Sequence, residues 1–593
     1  MAQVIRINLK HRPDSERTVA DLIEARARTD AKKTFLFYED QEISYEAFNQ
    51  AANKVARWAF AKGVEKGQVI TLMMESRPEF LVTWAGLAKL GATTALINTN
   101  LKGRALHFAL TSSGGSVLIA GAECLEALAS LREIEPALTW ETHIWSDPLS
   151  PRTTELPEGF SELDPEFKRQ PEANLDRGIR SGLLAGKDLF YIYTSGTTGF
   201  PKATHFSHTR FFASGDVVAS LARYGPRDVI YNALPLYHGA GGAIVPSIVL
   251  QRGCSMVLKR KFSASEFWND CRKYQVTGFQ YVGEFCRYLI NQPEDSEDRK
   301  NSVRCIHGAG LRPEIWEPFV KRFGISRVLE GYGSTEGNTA MMNLDNKPGA
   351  VGRIPFKKLH NGRLIRFDVE TNEHLRDEEG LYIECEPDEI GEFIGQIREH
   401  SDSGYDTFIG YTAKEETEKK ILHDVFEEGD AWFKTGDLFY RDADEFYYFV
   451  DRVGDTFRWK SENVSTQEVA ELLSIYPGID FVNVYGVEVP GEEGRAGMAA
   501  LVMSPDADFN GTEFYHFTQN QLPEYAAPYF VRLCPEADVT GTFKLRKVDL
   551  QKEGYDIERV DDPIYMRRDK KKSYVRLNQD NYPFSQKSES TSK

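Results

Sequence analysis

Tyr191-Ile-Tyr-Thr-Ser-Gly-Thr-Thr-Gly-Phe-Pro-Lys-Ala-Thr204 is the stretch whose reading decides the fold. The apolar run from Leu189 to Tyr193 predicts a strand. It opens into Thr194, Ser195, Gly196, Thr197, Thr198 and Gly199. Hydroxyls and uncovered amides at that density suit the wrapping of phosphate oxygens, and glycine permits the positive φ and close approach of such a nest. Pro201 stiffens the exit and Lys202 adds a positive charge. A plain turn is the bland alternative, but a turn needs two such residues rather than six in succession. The G-x-x-x-x-G-K-[ST] loop of nucleotide kinases does not fit, because Phe200 and Pro201 separate Gly199 from Lys202.

Outward from this loop the chain alternates strand and helix. Thr34 to Tyr38 reads as extended between two helical stretches, the second following Ser44 as N-cap. Strands are predicted over Gln68–Met74, Val117–Ala120, Val229–Ala233, Met256–Lys259, Thr277–Val282 and Val303–Ile306. Helices are predicted over Pro78–Leu90, from Ser263 to about Tyr274, and over Pro313–Phe323, with Pro at the first turn and Gly past the end of the first and third. This order predicts an α/β fold built on largely parallel sheets. Residues 145–187, rich in proline and charge, read as a surface excursion, and Gly239-Ala-Gly-Gly242 as a small-residue turn. Short strands and tight turns follow over 390–450. Beyond Arg452 the pattern restarts with a helix at 466–474, strands at 482–489 and 498–503 and a final helix within 512–520. The division expected is a large domain, 1–452, with a smaller α+β domain, 453–593.

A chain of 593 residues is too long for one ordinary domain. A net charge of −17 excludes a generic nucleic-acid binder, which needs a basic footprint. Seven scattered cysteines form no CxxC pair, so neither a zinc site nor a disulfide framework is expected, and reduced cytosolic thiols are. The first residues lack the apolar core of a signal peptide, and no stretch offers the roughly 18 uninterrupted apolar residues of a spanning helix.

Four later stretches carry chemistry. Glu330-Gly-Tyr-Gly-Ser-Thr-Glu336 sets a hydroxyl, a carboxylate and an aromatic beside glycines. Tyr332 can stack on a purine, Thr335 can bond a phosphate and Glu336 can hold Mg2+ through hard oxygen, although a solvated hairpin turn fits equally well. Lys434-Thr-Gly-Asp437 reads as a turn whose carboxylate could accept ribose hydroxyls. Asp451-Arg-Val-Gly-Asp-Thr-Phe-Arg-Trp-Lys-Ser-Glu-Asn-Val464 lies at the domain boundary, and Thr540-Gly-Thr-Phe-Lys544 puts a lysine after a glycine turn.

In this order after Thr194–Gly199, the four stretches resemble the motif set of the adenylate-forming superfamily: acyl- and aryl-CoA synthetases, peptide-synthetase adenylation domains and beetle luciferases. The resemblance covers nearly the whole chain. Phe262-Ser-Ala-Ser-Glu-Phe-Trp268, Gln280-Tyr-Val-Gly-Glu284, Asp455-Thr-Phe-Arg-Trp459 and the run from Gly486 to Gly497 are similar to its fatty-acid-transport-protein/very-long-chain acyl-CoA synthetase branch.

The resemblance implies a large domain of layered sheets with a small β-barrel-like part, and a mobile C-terminal domain. It implies an ATP-dependent long- or very-long-chain fatty acid:CoA ligase that forms an acyl-adenylate, with Mg2+ as cofactor. A ligase for a medium-chain, aromatic, bile-acid-like or carnitine-like acid, or a fatty-acid uptake protein with weak ligation, stays open. By resemblance, residues 194–199 and Lys202 hold the β- and γ-phosphates. Gly308, Ala309 and Gly310 lie under the adenine, Tyr332 stacks on it, Thr335 takes the α-phosphate and Glu336 the magnesium. Asp437 and Arg452 bind ribose, His238 sits beside the reacting carboxylate, Gly239 to Gly242 line the acyl path, Lys544 bridges carboxylate and α-phosphate, and Gly454 is the pivot. Ala203 and Ser461 stand where relatives more often have glycine. The expected location is the cytoplasm, with any membrane contact peripheral and at its inner face.

Overall fold

Helix Pro78–Leu90 is apolar nearly all round and is buried along almost its whole length, as such a helix must be. Pro78 starts it at no cost in hydrogen bonds, and Gly91 ends it at φ 76°. It packs on helix Tyr45–Ala61 so closely that a methyl group on Gly86 would lie 2.5 Å from Val55 Cβ and 2.6 Å from the Ala52 carbonyl oxygen. Ser44 caps that second helix, accepting from Ala47 N–H at 3.1 Å. The computed structural model describes residues 7, 10–135, 139–150, 155–195, 201–368, 371, 373–398, 408–459, 462–490, 494–540, 545–579 and 581–582.

Side chains from these helices join those of two sheets in one apolar core, with Phe35, Met256 and Leu258 from one sheet and Leu72, Phe190 and Ile192 from the other. The first sheet runs, edge to edge, Ala340–Asn343, Arg327–Gly333, Cys305–Ala309, Gly278–Val282, Val229–Asn232, Ser255–Leu258, Thr34–Tyr38 and Gln41–Ser44. Only its two edge pairings are antiparallel. The second runs Phe160–Glu162, Glu141–Trp145, Val117–Gly121, Val69–Met73, Thr93–Leu96, Asp188–Ser195 and Pro201–Ser207, parallel except for the last pair. Inner strands such as Ser255–Leu258 and Gly278–Val282 are buried at every residue, which explains why they are apolar on both faces apart from Ser255 and Gln280.

Val229–Asn232 is the switch point of the first sheet. The chain leaves it to pair Ser255–Leu258 on one side and then returns to pair Gly278–Val282 on the other. Crevices at such points, beyond the carboxyl ends of the strands, are where open α/β sheets bind ligands.

The barrel-like part expected is an antiparallel sheet in the order Gly352–Arg353, Phe446–Arg452, Ala431–Arg441, Gly391–Gln396, Gly362–Asp368 and Glu373–His374, and its end strands are not paired to each other among the described residues. A separate apolar core gathers side chains from Phe457 to Leu577 around the five-stranded sheet Ile479–Glu488, Arg495–Met503, Phe530–Leu533, Ile564–Arg568 and Ser573–Arg576.

Four readings change. The excursion at 145–187 is partly structural: Phe160–Glu162 adds an edge strand, and Leu163, Phe167, Leu175 and Leu183 are buried. Gly239-Ala-Gly-Gly242 is no turn but the start of a π-helical segment, Gly239–Ile244, that runs into helix Val245–Arg252. Lys434–Asp437 lies inside strand Ala431–Arg441 rather than in a turn. The helix at Gly511–Gln521 is not the last, since Val548–Glu553 follows it. No helix among the described residues is long and apolar enough to cross a membrane. The seven cysteines are free and six of them are buried.

Candidate active site

One strand, Arg327–Gly333, and the three residues after it organise the site. Glu330, Tyr332, Thr335 and Glu336 follow one another at its carboxyl end, and each meets a different neighbour.

Glu330 is buried beside the end of strand Cys305–Ala309, at Gly308–Gly310. Its carboxylate accepts from Gly310 N–H at 2.5 Å, from Leu311 N–H at 3.4 Å and from the Tyr281 hydroxyl. On the other side that strand end is tied by Gly283 N–H, which donates to the Ala309 carbonyl at 3.0 Å. Gly308 must be glycine, because a Cβ there would lie 2.0 Å from the Tyr281 carbonyl oxygen. Burial pushes the Glu330 carboxyl up to about 7, against the hydrogen bonds from Tyr281 and Gly310, which favour its charged form.

A folded-state value raised above the unfolded one means that the folded chain holds the extra proton. The stability gained from that proton is present at acid pH and is lost as pH rises through about 7. Glu330→Gln removes this dependence. The melting temperature of the variant minus that of wild type is therefore expected to rise between about pH 5 and 8. Scanning calorimetry across that range checks it, and a flat difference sinks it.

Tyr332 donates its hydroxyl to Asp437 Oδ2 at 2.5 Å, with its ring edge-on to Phe439 and Phe393 at centroid distances of 4.8 and 5.9 Å. Burial and the Asp437 charge hold the phenol well above its ordinary range. Asp437 reaches Tyr332 because of a bulge. Glu392 and Ile394 pair with Leu438 and Lys434, so four steps on one strand oppose two on the other. Gly436, at φ 80°, takes the turn inside the bulge, and Thr435 Oγ1 donates to the Phe393 carbonyl at 2.6 Å. Arg452 stands opposite Asp437 in register, its Nε 3.5 Å from Oδ1, and remains about half exposed at 56 %.

Thr335 and Glu336 face the other sheet. A methyl group on Gly239 would lie 3.8 Å from Thr335 Oγ1 and 3.7 Å from Ile192 Cδ1, so the residues after Val229–Asn232, strand Asp188–Ser195 and Thr335 converge. Glu336 Oε1 accepts the Tyr411 hydroxyl at 3.0 Å. Tyr411 bridges to Thr204 on strand Pro201–Ser207, and its phenol is raised by burial and by Glu336. Lys202 lies 5.7 Å above the Tyr411 ring and pairs with Glu416, which that lysine and Lys419 together hold down to about 2.

Strands Asp188–Ser195 and Pro201–Ser207 pair up to Ser195 opposite Pro201, with Thr194 opposite Lys202. Gly196, Thr197, Thr198, Gly199, Ser461 and Lys544 lie outside the described residues, as does the side chain of Ser195. His238 closes Leu234-Pro-Leu-Tyr-His238, its ring 4.6 Å from that of Tyr237. Of the small residues after it, Gly239 faces Thr335, whereas Gly241 and Gly242 abut the Leu234 and Leu236 carbonyls. A Cβ on Gly242 would lie 1.8 Å from the Leu236 oxygen, so Gly242→Ala is expected to cost about 1–3 kcal/mol or more and to lower the melting temperature measurably. An unchanged melting temperature contradicts that packing.

The positions expected from sequence are thus brought together for Thr194, Lys202, Gly308, Ala309, Gly310, Tyr332, Thr335, Glu336, Asp437 and Arg452. Tyr411, Glu416 and Glu330 were missed. Gly410-Tyr411 repeats the glycine–aromatic pattern of Gly331-Tyr332, and a lone acid after Val328-Leu329 is the signal for Glu330.

Residues 23–391 match the family model described as "AMP-binding enzyme". The chain belongs to that family of AMP-binding enzymes. Within it, the chain is similar to the long-chain fatty acid transport proteins. It is 39% identical to "Long-chain fatty acid transport protein 2" of Rattus norvegicus, over 98% of this chain and 92% of that one. It is 41% identical to "Long-chain fatty acid transport protein 1" of Homo sapiens, over 89% and 81%. Among solved structures, the anthranilate CoA ligase AuaEII in complex with anthranoyl-AMP has a TM-score of 0.74 at 22% identity, over 90% of this chain and 97% of that one. The Mycobacterium tuberculosis fatty acyl CoA synthetase has 0.61 at 23%, over 91% and 98%. At such identities the structures speak for the fold.

Proposed function

We propose that the chain is an ATP-dependent acid:CoA ligase whose acid is a long- or very-long-chain fatty acid. The observation that carries the reading is the meeting, at the carboxyl ends of two parallel sheets, of three groups: Thr194 with Lys202, Thr335 with Glu336, and the Tyr332–Asp437–Arg452 chain of contacts. The acyl class is supported by the names of the relatives.

In the first half-reaction the fatty-acid carboxylate attacks the α-phosphate of ATP, and pyrophosphate leaves. Anion approaches anion, so the chain contributes positioning and charge neutralisation. Residues 194–199 and Lys202 hold the departing phosphates, Thr335 bonds the α-phosphate, and Asp437 with Arg452 takes the ribose. Adenine lies against Gly308–Gly310 and Tyr332. Lys544 bridges carboxylate and α-phosphate, and His238 borders the acid. In the second half-reaction the thiol of coenzyme A attacks the acyl carbonyl and AMP leaves.

Glu336 fits a magnesium site. Mg2+ takes one or two carboxylates and completes its shell with water and phosphate, so the lack of any cluster of three or more acidic, histidine or cysteine ligands among the described residues is no obstacle. When bound, Mg2+ would neutralise phosphate charge beside Glu336. We place the domain division at Arg452/Val453, with Gly454, at φ 89° and with nothing within 4 Å of its Cβ position, as the pivot.

ATP–pyrophosphate exchange driven by palmitate tests the reading, followed by CoA-ester formation across a chain-length series. Exchange with a short or aromatic acid alone moves the substrate, and no exchange with any acid leaves an uptake or binding protein instead.

A further inference from the structure

Lys547 occupies a position that its local sequence does not explain. It is the N-cap of helix Val548–Glu553, where a lysine offers no oxygen to the free amides and sets a positive charge at the positive end of the helix. Its side chain, 20% exposed, turns instead to the Arg452–Asp455 turn. There Nζ lies 3.1 Å from Asp455 Oδ2, 2.6 Å from Thr466 Oγ1 and 3.8 Å from Asp451 Oδ1.

Asp451 is nearly inaccessible and already committed. Its Oδ2 accepts from Thr466 N–H at 2.8 Å, Thr466 Oγ1 at 2.7 Å and Thr456 Oγ1 at 3.3 Å, and its Oδ1 from Arg452 N–H at 2.9 Å. The hydroxyl of Thr466 therefore receives from Lys547 and donates to Asp451, an unbroken chain of hydrogen bonds. Asp451 also satisfies an amide at the start of helix Thr466–Leu473 that has no partner within the helix. Two carboxylates, one on each side of Gly454, thus share one ammonium, and neither is left as an uncompensated charge.

We propose that Lys547 is a positioning residue that clasps the Arg452–Asp455 turn from both sides and that, being only three residues after Lys544 in the sequence, it supports the step in which Lys544 acts. The inference rests on the ligase reading above for its catalytic consequence, and on the contacts alone for the clasp. A lysine held by one aspartate would fix only its own side chain. Held by Asp451 and Asp455 together, it fixes the turn and the start of helix Val548–Glu553 relative to each other.

Lys547→Met is expected to lower kcat for palmitate-dependent ATP–pyrophosphate exchange by about 10- to 100-fold, the cost of a misplaced catalytic group, with KM for ATP within about twofold of wild type. Lys547→Arg, which can still span both carboxylates, is expected to restore most of the rate. In a Lys544→Ala background Lys547→Met should cost nothing further, because its effect passes through Lys544. Wild-type kcat in Lys547→Met, or losses that multiply in the double variant, overturns the proposal. Hydrogen exchange of the unliganded protein reads the clasp without catalysis. Faster exchange at 453–456 and 545–550 in both Lys547→Met and Asp455→Asn is expected, and unchanged exchange overturns it. Absence of exchange activity in wild type would sink the ligase reading, and hydrogen exchange would still decide the clasp.

Discussion

Alanine in place of Lys544 is expected to lower palmitate-dependent ATP–pyrophosphate exchange by roughly 10²–10³-fold, the scale of losing one preorganised donor to a transition state. On the proposed function the attack joins two anions, and Lys202 is already paired with Glu416. Arg452 is engaged with Asp437. A further cation for the carboxylate and α-phosphate is what these paired groups do not supply. Val539 and Leu545, among the described residues on either side of Lys544, form an antiparallel bridge. Thioester formation from supplied palmitoyl-adenylate should stay within about a few-fold of wild type, since that step needs no bridge between carboxylate and phosphate. Equal loss in both half-reactions refutes the assignment.

Asp437→Ala is the second large effect. It should raise KM for ATP about 10- to 100-fold, which corresponds to the roughly 1.5–3 kcal/mol of a hydrogen bond to a charged group. The loss has two sources. Ribose hydroxyls lose an acceptor that is 14% exposed and already aligned by Gly436. The Tyr332 hydroxyl, which reaches Asp437 at 2.5 Å, loses its partner beside the adenine position. Tyr332→Phe separates the two, because it removes the hydroxyl and leaves the carboxylate, and should cost less. An unchanged KM for ATP in Asp437→Ala would remove this residue from the nucleotide site.

Elements that announce themselves by local chemistry were legible in the sequence. Pro313–Phe323 begins with proline and ends at Gly324, at φ 71°, within the bounds its residues predict. Pro78–Leu90 and the Ser44 cap were equally plain. What was hidden depends on a partner strand or on backbone contact. Lys434–Asp437 reads as a turn by composition, yet it is a bulge, because Glu392 to Ile394 across the sheet is two residues too short for it. Gly241 and Gly242 look like a flexible turn, but their missing side chains let a helix pass over the Leu234–Leu236 chain. Tyr411 enters the site only because its segment adds to the edge of strand Pro201–Ser207, and no spacing rule joins positions that far apart.

The seating of Glu330, Tyr332, Thr335 and Glu336 on one strand end has an evolutionary consequence. On the proposed function nucleotide handling would be inherited as a block: slipping that strand by one residue would move all four side chains together. On the same reading the acid would be met by a different segment, Leu234 to Gly242, beyond a different strand. Mutation can therefore explore new acids at one address while selection holds the other fixed, and one ATP-activating frame can be reused for carboxylates as unlike as an aromatic acid and a fatty chain.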